Sequence, residues 1–273
     1  MTVGDRGYRL IDAGDGRRLE EFGGRLVDRP APVAAGPRRD APAWEVADLR
    51  FERDVGWSGD VLDPWPIEVD GLTLELRPTE TGQVGMFPEQ AQLWPWLHDR
   101  LTAQPGAEVL HLFAHTGATT LALARDGARV AHVDAARPAV AWARRNAELS
   151  DLADRPIRWL VDDAERFVER EARRGRRYRG VVLDPPAWGH AGGRTWRLEP
   201  GLPALLDDCA RLVDRPAFVL LTAHSVGWDA DRLAEAVRVS FEAPRVEAGN
   251  LELIAANGAK LPLGAFARVI IDS

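Results

Sequence analysis

The first guide to this chain is what it lacks. It has one cysteine, Cys209, among 273 residues, so it can form neither an internal disulfide nor a thiolate metal cluster. Its histidines are scattered, with no ligand spacing supported by carboxylates on one helix, so no metal centre is expected. No apolar stretch approaches the length needed to cross a bilayer, and no membrane partner is expected. The start, Met1-Thr2-Val3-Gly4-Asp5, has no basic segment followed by an apolar core, so no signal peptide is visible. Basic residues are the minority: 35 Lys and Arg stand against 42 Asp and Glu, a net charge of −7. Such a chain is no general polyanion binder, although a local basic groove is compatible with that balance. Internal repeats and low-complexity tracts are also missing. The expectation is a soluble cytoplasmic protein of undetermined oligomeric state.

What is present is globular: 45% hydrophobic and 28% charged residues. The length suits one large α/β domain or a core with a small appendage. Tyr8-Arg9-Leu10-Ile11, Asp15-Gly16 and the run from Leu19 to Leu26 read as short strands around a hairpin turn. Residues 28–43, rich in Pro, Ala and Gly, read as an extended connector. Ile67 to Leu76 reads as two strands around Asp70-Gly71, and residues 88–102 as a helix with Pro88 in its first turn. After Pro105-Gly106, strand-like runs alternate with helical segments through residue 241, and Leu251–Ala255 and Ala265–Ile271 close the chain as two strands. The predicted division is therefore 1–104, a β-rich appendage with a proline-rich connector and a helix leading into the core, and 105–273. The latter is a parallel α/β sheet with helices on both faces and a final antiparallel hairpin at an edge.

In an open parallel sheet, ligands sit beyond the carboxyl ends of the strands, near the reversal in strand order. Four strand ends carry candidate chemistry. The first is followed by Phe113-Ala114-His115-Thr116-Gly117, where one glycine lets backbone approach a ligand at a helix start. The second ends at Asp134, a carboxylate able to take both hydroxyls of a ribose or to serve only as a helix cap. The third is followed by Asp162-Asp163, and Asp163 has the same two readings, with an exocyclic amine as its ligand. The fourth leads into Asp184-Pro185-Pro186-Ala187-Trp188-Gly189, whose prolines hold the backbone extended and keep it out of a helix. That element is the most specific of the four, and all four in order weigh more than any one.

These residues resemble a class I S-adenosylmethionine (SAM)-dependent methyltransferase, of the bacterial branch related to 23S ribosomal RNA methyltransferase I. The segments that carry the likeness are VLHLFAHTGATTLALARDGARVAHVDA, AVAWARRNAEL, IRWLVDDAERFVEREARRGRRYRGVVLDPPAWG, LLTAHS and, upstream, Gly85-Met86-Phe87-Pro88-Glu89-Gln90. The resemblance implies a Rossmann-like methyltransferase sheet and SAM as cofactor. It implies that Phe113, His115, Thr116 and Gly117 wrap the methionine part, that Asp134 binds ribose, and that Asp163 with the Ala164 backbone meets adenine. It further implies that Gln90 closes over the cofactor and that Asp184 and Pro185 face the methyl group, with Pro186 on the acceptor side. The chain departs from the branch in three respects. His111 stands where an acid or amide is common, Ala187 where a lysine often follows the prolines, and no additional RNA-binding module is evident at the N-terminus.

Carbon-5 of a pyrimidine needs a covalent helper, commonly a cysteine thiolate near the fourth or fifth strand end. Neither Asp184-Pro185-Pro186-Ala187 nor Leu221-Thr222-Ala223-His224-Ser225 contains one, and Cys209 reads as a packed apolar group. An amine or hydroxyl acceptor needs no covalent step: Asp184 can orient it and His224 can take a proton, unless His224 is merely strand-end packing. Trp188 and Trp196 flank a glycine-rich loop, Gly189-His190-Ala191-Gly192-Gly193, and either sandwich a planar acceptor or seal the loop to the body. The run Arg173, Arg174, Arg176, Arg177 and Arg179 reads as a solvated helix end rather than a phosphate track. The leading reading is a methyltransferase acting on RNA without a cysteine nucleophile. A small-molecule N- or O-methyltransferase is the alternative, favoured by the acidic balance. A nicotinamide-dependent oxidoreductase lacks its multi-glycine turn. A non-catalytic SAM-binding module sits badly with three intact strand-end acids.

Overall fold

The computed structural model describes residues 7–59, 63–191, 193–243 and 245–272. The leader expectation for residues 1–5 and the Gly192 position lie outside the described residues. The chain forms two compact units, residues 1–91 with 252–263, and residues 92–251 with 264–273.

The first unit holds a five-stranded sheet of β1 (Tyr8–Gly14), β2 (Arg17–Phe22), β3 (Arg25–Pro30), β4 (Leu49–Glu52) and β5 (Gly56–Gly59), in that order. Asp15 and Gly16, both at positive φ, turn β1 into β2, as the Asp-Gly pair predicts. The second Asp-Gly pair likewise joins β6 (Trp65–Val69) and β7 (Leu72–Leu76) as a separate antiparallel hairpin. The expected extended connector is partly structured: its beginning belongs to β3, and Asp40 caps a short helix α1 (Ala41–Glu45), accepting from the Ala43 N–H. Proline within the first turn of α1 is compatible with a helix, which is why composition alone misreads it.

The second unit is built on a seven-stranded sheet. Its elements are α2 (Trp94–Ala103), β8 (Glu108–Leu112), α3 (Ala118–Arg125), β9 (Arg129–Asp134), α4 (Arg137–Leu149), β10 (Ile157–Val161), α5 (Ala164–Arg173) and β11 (Tyr178–Leu183). There follow β12 (Trp188–Ala191), β13 (Arg194–Arg197), α6 (Leu198–Ala210), β14 (Val213–Ala223), α7 (Ala230–Phe241), β15 (Glu247–Ile254) and β16 (Lys260–Ile271). A 3-10 turn, Pro88–Leu93, precedes α2, so the helix expected from residue 88 becomes α-helical only at Trp94. The strand order is β10-β9-β8-β11-β14-β16-β15. The first five run parallel, and β16 pairs antiparallel to β14 as the predicted edge hairpin.

Side chains alternate across these strands with period two. Leu110, Leu112, Ala131, Val133, Val181, Leu183, Val219 and Leu221 face one core together with Phe167, Leu202, Leu205 and Val237 of α5–α7. The opposite face, which α2–α4 cover, receives His111, His132 and Thr222. Two elements differ from expectation. Helix α6 starts at Leu198 and carries Pro200 and Pro203 within its first turns, residues that punctuate a sequence rather than mark a helix. The glycine-rich loop is a two-stranded antiparallel ribbon, β12–β13, because Gly193 at φ 83° permits a tight turn between alternating residues. Among the described residues, no helix is long and apolar enough to cross a membrane.

Candidate cofactor and acceptor site

Strand order reverses between β8 and β11, and the candidate residues of the second unit converge on the carboxyl ends of those strands and their neighbours. After β8 the chain turns sharply. Phe113 (φ 55°), His115 (φ 48°) and Gly117 (φ 85°) are all left-handed, two of them at a steric cost that a surrounding framework must hold. That framework is visible. The Ala114 N–H donates to the Val133 carbonyl at 3.1 Å, the His115 N–H to Asp134 Oδ2 at 2.8 Å, and Asn146 Nδ2 to the Thr116 carbonyl at 2.9 Å. Gly117 is required twice over: its φ is positive, and a Cβ there would lie 2.8 Å from the Ala143 Cβ. The result is a cradle opening onto the N-terminus of α3, whose first N–H groups favour an anionic ligand group.

Asp134 is not the cap of the following helix; that position is Ala136, with no side-chain cap. Its carboxylate accepts one backbone N–H on each oxygen, His115 on Oδ2 and Ala136 on Oδ1, both at 2.8 Å. Each oxygen therefore keeps a lone pair for a further donor. Asp163, in contrast, caps α5, its Oδ1 accepting from the Arg166 N–H at 3.0 Å. Asp162 pairs with Arg170 and accepts from the Asp163 N–H.

Asp184 sits at the tip of β11. Its Oδ1 accepts from Thr222 Oγ1 at 2.6 Å and faces His224 Nε2 at 3.2 Å. Burial by itself would raise this carboxyl; the charge of His224, the hydrogen bonds from His224 and Thr222, and His111 outweigh it and hold it below the ordinary carboxylate range. Gly264 of β16 permits this arrangement, since a Cβ there would lie 2.3 Å from the Ala223 carbonyl and 3.1 Å from His224 Nδ1. Pro185 is buried and Pro186 exposed. Two carbonyls of the double-proline segment already have donors: Pro186 accepts from Trp196 Nε1 at 2.8 Å, and Ala187 from the Leu198 N–H at 3.0 Å. Trp196 is 6% exposed and its ring lies 5.2 Å from that of Phe113, so it seals the ribbon to the first loop. Trp188 is 56% exposed.

Behind the cradle, Thr120 Oγ1 lies 2.7 Å from His111 Nδ1 and 2.9 Å from His132 Nδ1. One hydroxyl carries one proton and two lone pairs, so at most one imidazole accepts at Nδ1 and at least one donates there. Burial lowers the His111 pKa from 6.5 to about 4, against a smaller upward pull from Asp184, and lowers that of His132 further below its ordinary value. His111 is thus a satisfied interior histidine in place of the acid common at this position. Burial also lowers His115, opposed by Asp134 and Asp184.

Several predicted residues stand elsewhere. Cys209 is fully buried in the core with its thiol pKa pushed up by burial, as expected of a packed apolar group. Four arginines of the run form ion pairs, Arg174 and Arg176 with Glu171, Arg173 with Glu169 and Arg179 with Asp214, and Arg177 donates to the Arg176 carbonyl. Gln90 lies on the 3-10 turn Pro88–Leu93, within the first unit, and is half-buried. Sequence reasoning did not single out Thr222, Asn146, Thr120 or Gly264. Thr222 and Asn146 lie inside the matching segments, but nothing in their spacing marks them, because their partners are 38 and 30 residues away.

Comparison with known proteins places this geometry in context. Residues 75–191 match the family described as conserved hypothetical protein 95. A crystal structure of a SAM-dependent methyltransferase from Agrobacterium tumefaciens is 34% identical, covering 99% of this chain and 92% of that one, with a TM-score of 0.93. Ribosomal RNA large subunit methyltransferase I from Pseudoalteromonas translucida is 24% identical over 65% of this chain and 44% of its own length. Ribosomal RNA large subunit methyltransferase K/L from Alteromonas mediterranea is 24% identical over 80% of this chain and 30% of its own. The chain thus spans less than half the length of the curated relatives it matches.

Proposed function

The chain belongs to the SAM-dependent methyltransferases, in the branch related to ribosomal RNA large subunit methyltransferase I, and from that premise we propose that it methylates an amine or hydroxyl of RNA without a covalent enzyme intermediate. The residues present fit the cofactor. Asp134 keeps two lone pairs for a vicinal diol, the α3 N-terminus suits a carboxylate, and Asp163 keeps an oxygen for an exocyclic amine. Phe113, His115, Thr116 and Gly117 form the backbone cradle, and the Ala164 N–H lies beside the Asp163 cap. SAM, when bound, supplies an electrophilic methyl group on a sulfonium sulfur.

The protein's own part is alignment and proton removal. Asp184, held by Thr222, accepts a hydrogen bond from the acceptor N–H or O–H and turns its lone pair outward. Pro185 and Pro186 keep that segment extended and rigid, so the acceptor meets a fixed ledge. As the acceptor gains a methyl group, its proton passes to the Asp184–His224 pair, in which the imidazole holds the carboxylate in place. This step requires no thiolate, and Cys209 is enclosed in the core of the same unit. RNA as the acceptor is supported by the two curated relatives, both named as ribosomal RNA methyltransferases.

The single observation that carries the reading is the Asp184–His224 pair at the strand tip beside the double proline. Isotope-labelled SAM offered together with ribosomal RNA and a metabolite extract tests it. Label is expected in RNA, absent with Asp184→Ala, and located by mass spectrometry on a nitrogen or oxygen. Label confined to small molecules, or on a ring carbon, would overturn it.

A further inference from the structure

The β12–β13 ribbon has two unlike faces. Register pairs Gly189 with Trp196, Trp188 with Arg197 and His190 with Thr195. Alternation therefore puts Gly189 and Trp196 on one face and Trp188, His190, Thr195 and Arg197 on the other. The first face is closed. Trp196 is buried, donates to the Pro186 carbonyl and packs so tightly that a Cβ on Gly201 would lie 2.7 Å from its ring.

The second face is open, and all four of its side chains are exposed. The Trp188 and His190 rings meet near-perpendicularly, centroids 4.3 Å apart at 72°, a contact that braces the indole while it stays exposed. His190 is itself tied across the ribbon, Nδ1 to Thr195 Oγ1 at 3.2 Å. Arg197 has no ion pair or hydrogen bond from its guanidinium among the described residues, unlike the arginines of the run at 173–179. A braced, half-bare indole beside an uncommitted guanidinium is the chemistry of stacking plus phosphate pairing. Trp188 is four residues from Asp184, so at full extension it lies no more than about 14 Å away.

We propose that the open face of this ribbon grips single-stranded RNA adjoining the acceptor nucleotide, with Trp188 stacking an unpaired base, His190 positioning that ring, and Arg197 pairing a backbone phosphate. This rests on the RNA reading above and adds to it the strand state of the substrate and two residues, His190 and Arg197. An open ribbon suits a polymer that continues past the site; a small acceptor would gain nothing from it. In a duplex the base faces are occupied by stacking, so the same surface discriminates against paired RNA.

Fluorescence anisotropy tests this with the full chain saturated in SAM, using a fluorescein-labelled single-stranded oligoribonucleotide and the same strand annealed to its complement. The single strand should bind more tightly. Trp188→Ala should weaken it about tenfold, Trp188→Phe should restore most of that loss, and Arg197→Gln should reduce the slope of log affinity against log salt by about 0.7. Calorimetry with SAM reports that each variant retains its cofactor site. If wild type binds the single strand and both Trp188→Ala and Arg197→Gln match it in affinity and salt slope, the ribbon assignment is wrong and the RNA reading stands. If wild type binds neither probe while labelling small molecules, the RNA reading itself falls and the ribbon assignment falls with it.

Discussion

Both units bury carboxylates, but they satisfy them differently. In the first unit Asp12 is fully buried and accepts five donors: the backbone N–H groups of Ala13, Arg39 and Asp40, Trp44 Nε1 and Asn257 Nδ2. Glu20, also fully buried, meets Arg29 through two nitrogens, at 2.6 and 3.2 Å, together with the Tyr8 hydroxyl and Arg18. Both carboxyls are held below their ordinary pKa because these partners outweigh the desolvation that would raise them. In the second unit Asp134 and Asp184 are half-buried and, among the described residues, each accepts two donors, one of those on Asp184 being an imidazole. A saturated carboxylate ties segments of scaffold together. A carboxylate with lone pairs to spare at a strand tip can serve a ligand.

The sharpest way to break this contrast is to remove an unsaturated member. His224→Ala should lower kcat by about 10²–10⁴-fold, the range for a positioned proton acceptor, with SAM affinity by calorimetry close to wild type. A kcat within a few-fold of wild type would leave the strand-tip pair as packing. Removing a saturated member should act on stability instead. Glu20→Ala leaves Arg29 and Arg18 buried without their counter-charge, and urea unfolding should show a loss of about 3–5 kcal/mol. A loss below about 1 kcal/mol would mean the network behaves like a surface pair.

Next in size is the pH dependence of the buried imidazoles. His111 has a folded pKa of about 4 against 6.5 when exposed. Between these values the unfolded chain binds the extra proton and the folded chain does not, so stability falls as pH drops from 6.5 towards 4 and levels off below. The loss should reach about 3 kcal/mol, read by urea unfolding at successive pH values, and His111→Gln should flatten the curve by most of that amount. Asp184 has the opposite type of group but the same sign: its lowered pKa contributes stability above the ordinary carboxylate range that is lost as pH falls below it.

How much of this was legible beforehand depends on sequence distance. The sheet, its edge hairpin and the three strand-end acids follow from periodicity and short-range punctuation, and the structure places β8, β9, β10 and β11 where the alternating runs put them. The ribbon was hidden because Gly192-Gly193 reads equally as a loop, and α6 because two prolines mask its first turns. The partners that tune the site were hidden for another reason. Thr120 bridges His111 and His132 from 9 and 12 residues away, Thr222 reaches Asp184 across 38, and Gly264 makes room for His224 on a strand that follows a segment of the other unit. Such pairings are set by strand order, which no local pattern encodes. The same limit left Trp196 ambiguous: only the register with Gly189 shows that it faces inward while Trp188 faces out.

Asp134 offers the finest discrimination between the two kinds of carboxylate. Its two backbone donors occupy one lone pair on each oxygen, and a ribose diol would bring two further donors, completing the saturation that Asp12 achieves with protein groups alone. Asp134→Ala should therefore weaken SAM by about 10–100-fold, as for hydrogen bonds to a charged acceptor, while unfolding free energy without SAM changes by less than about 1 kcal/mol, since the site is half-open to water. Asp134→Asn should rescue little, because an amide nitrogen turned towards either the His115 or the Ala136 N–H sets donor against donor. If instead Asp134→Ala bound SAM normally and lost several kcal/mol of stability, Asp134 would belong with Asp12 and Glu20, and partial saturation would no longer separate ligand sites from scaffold in this protein.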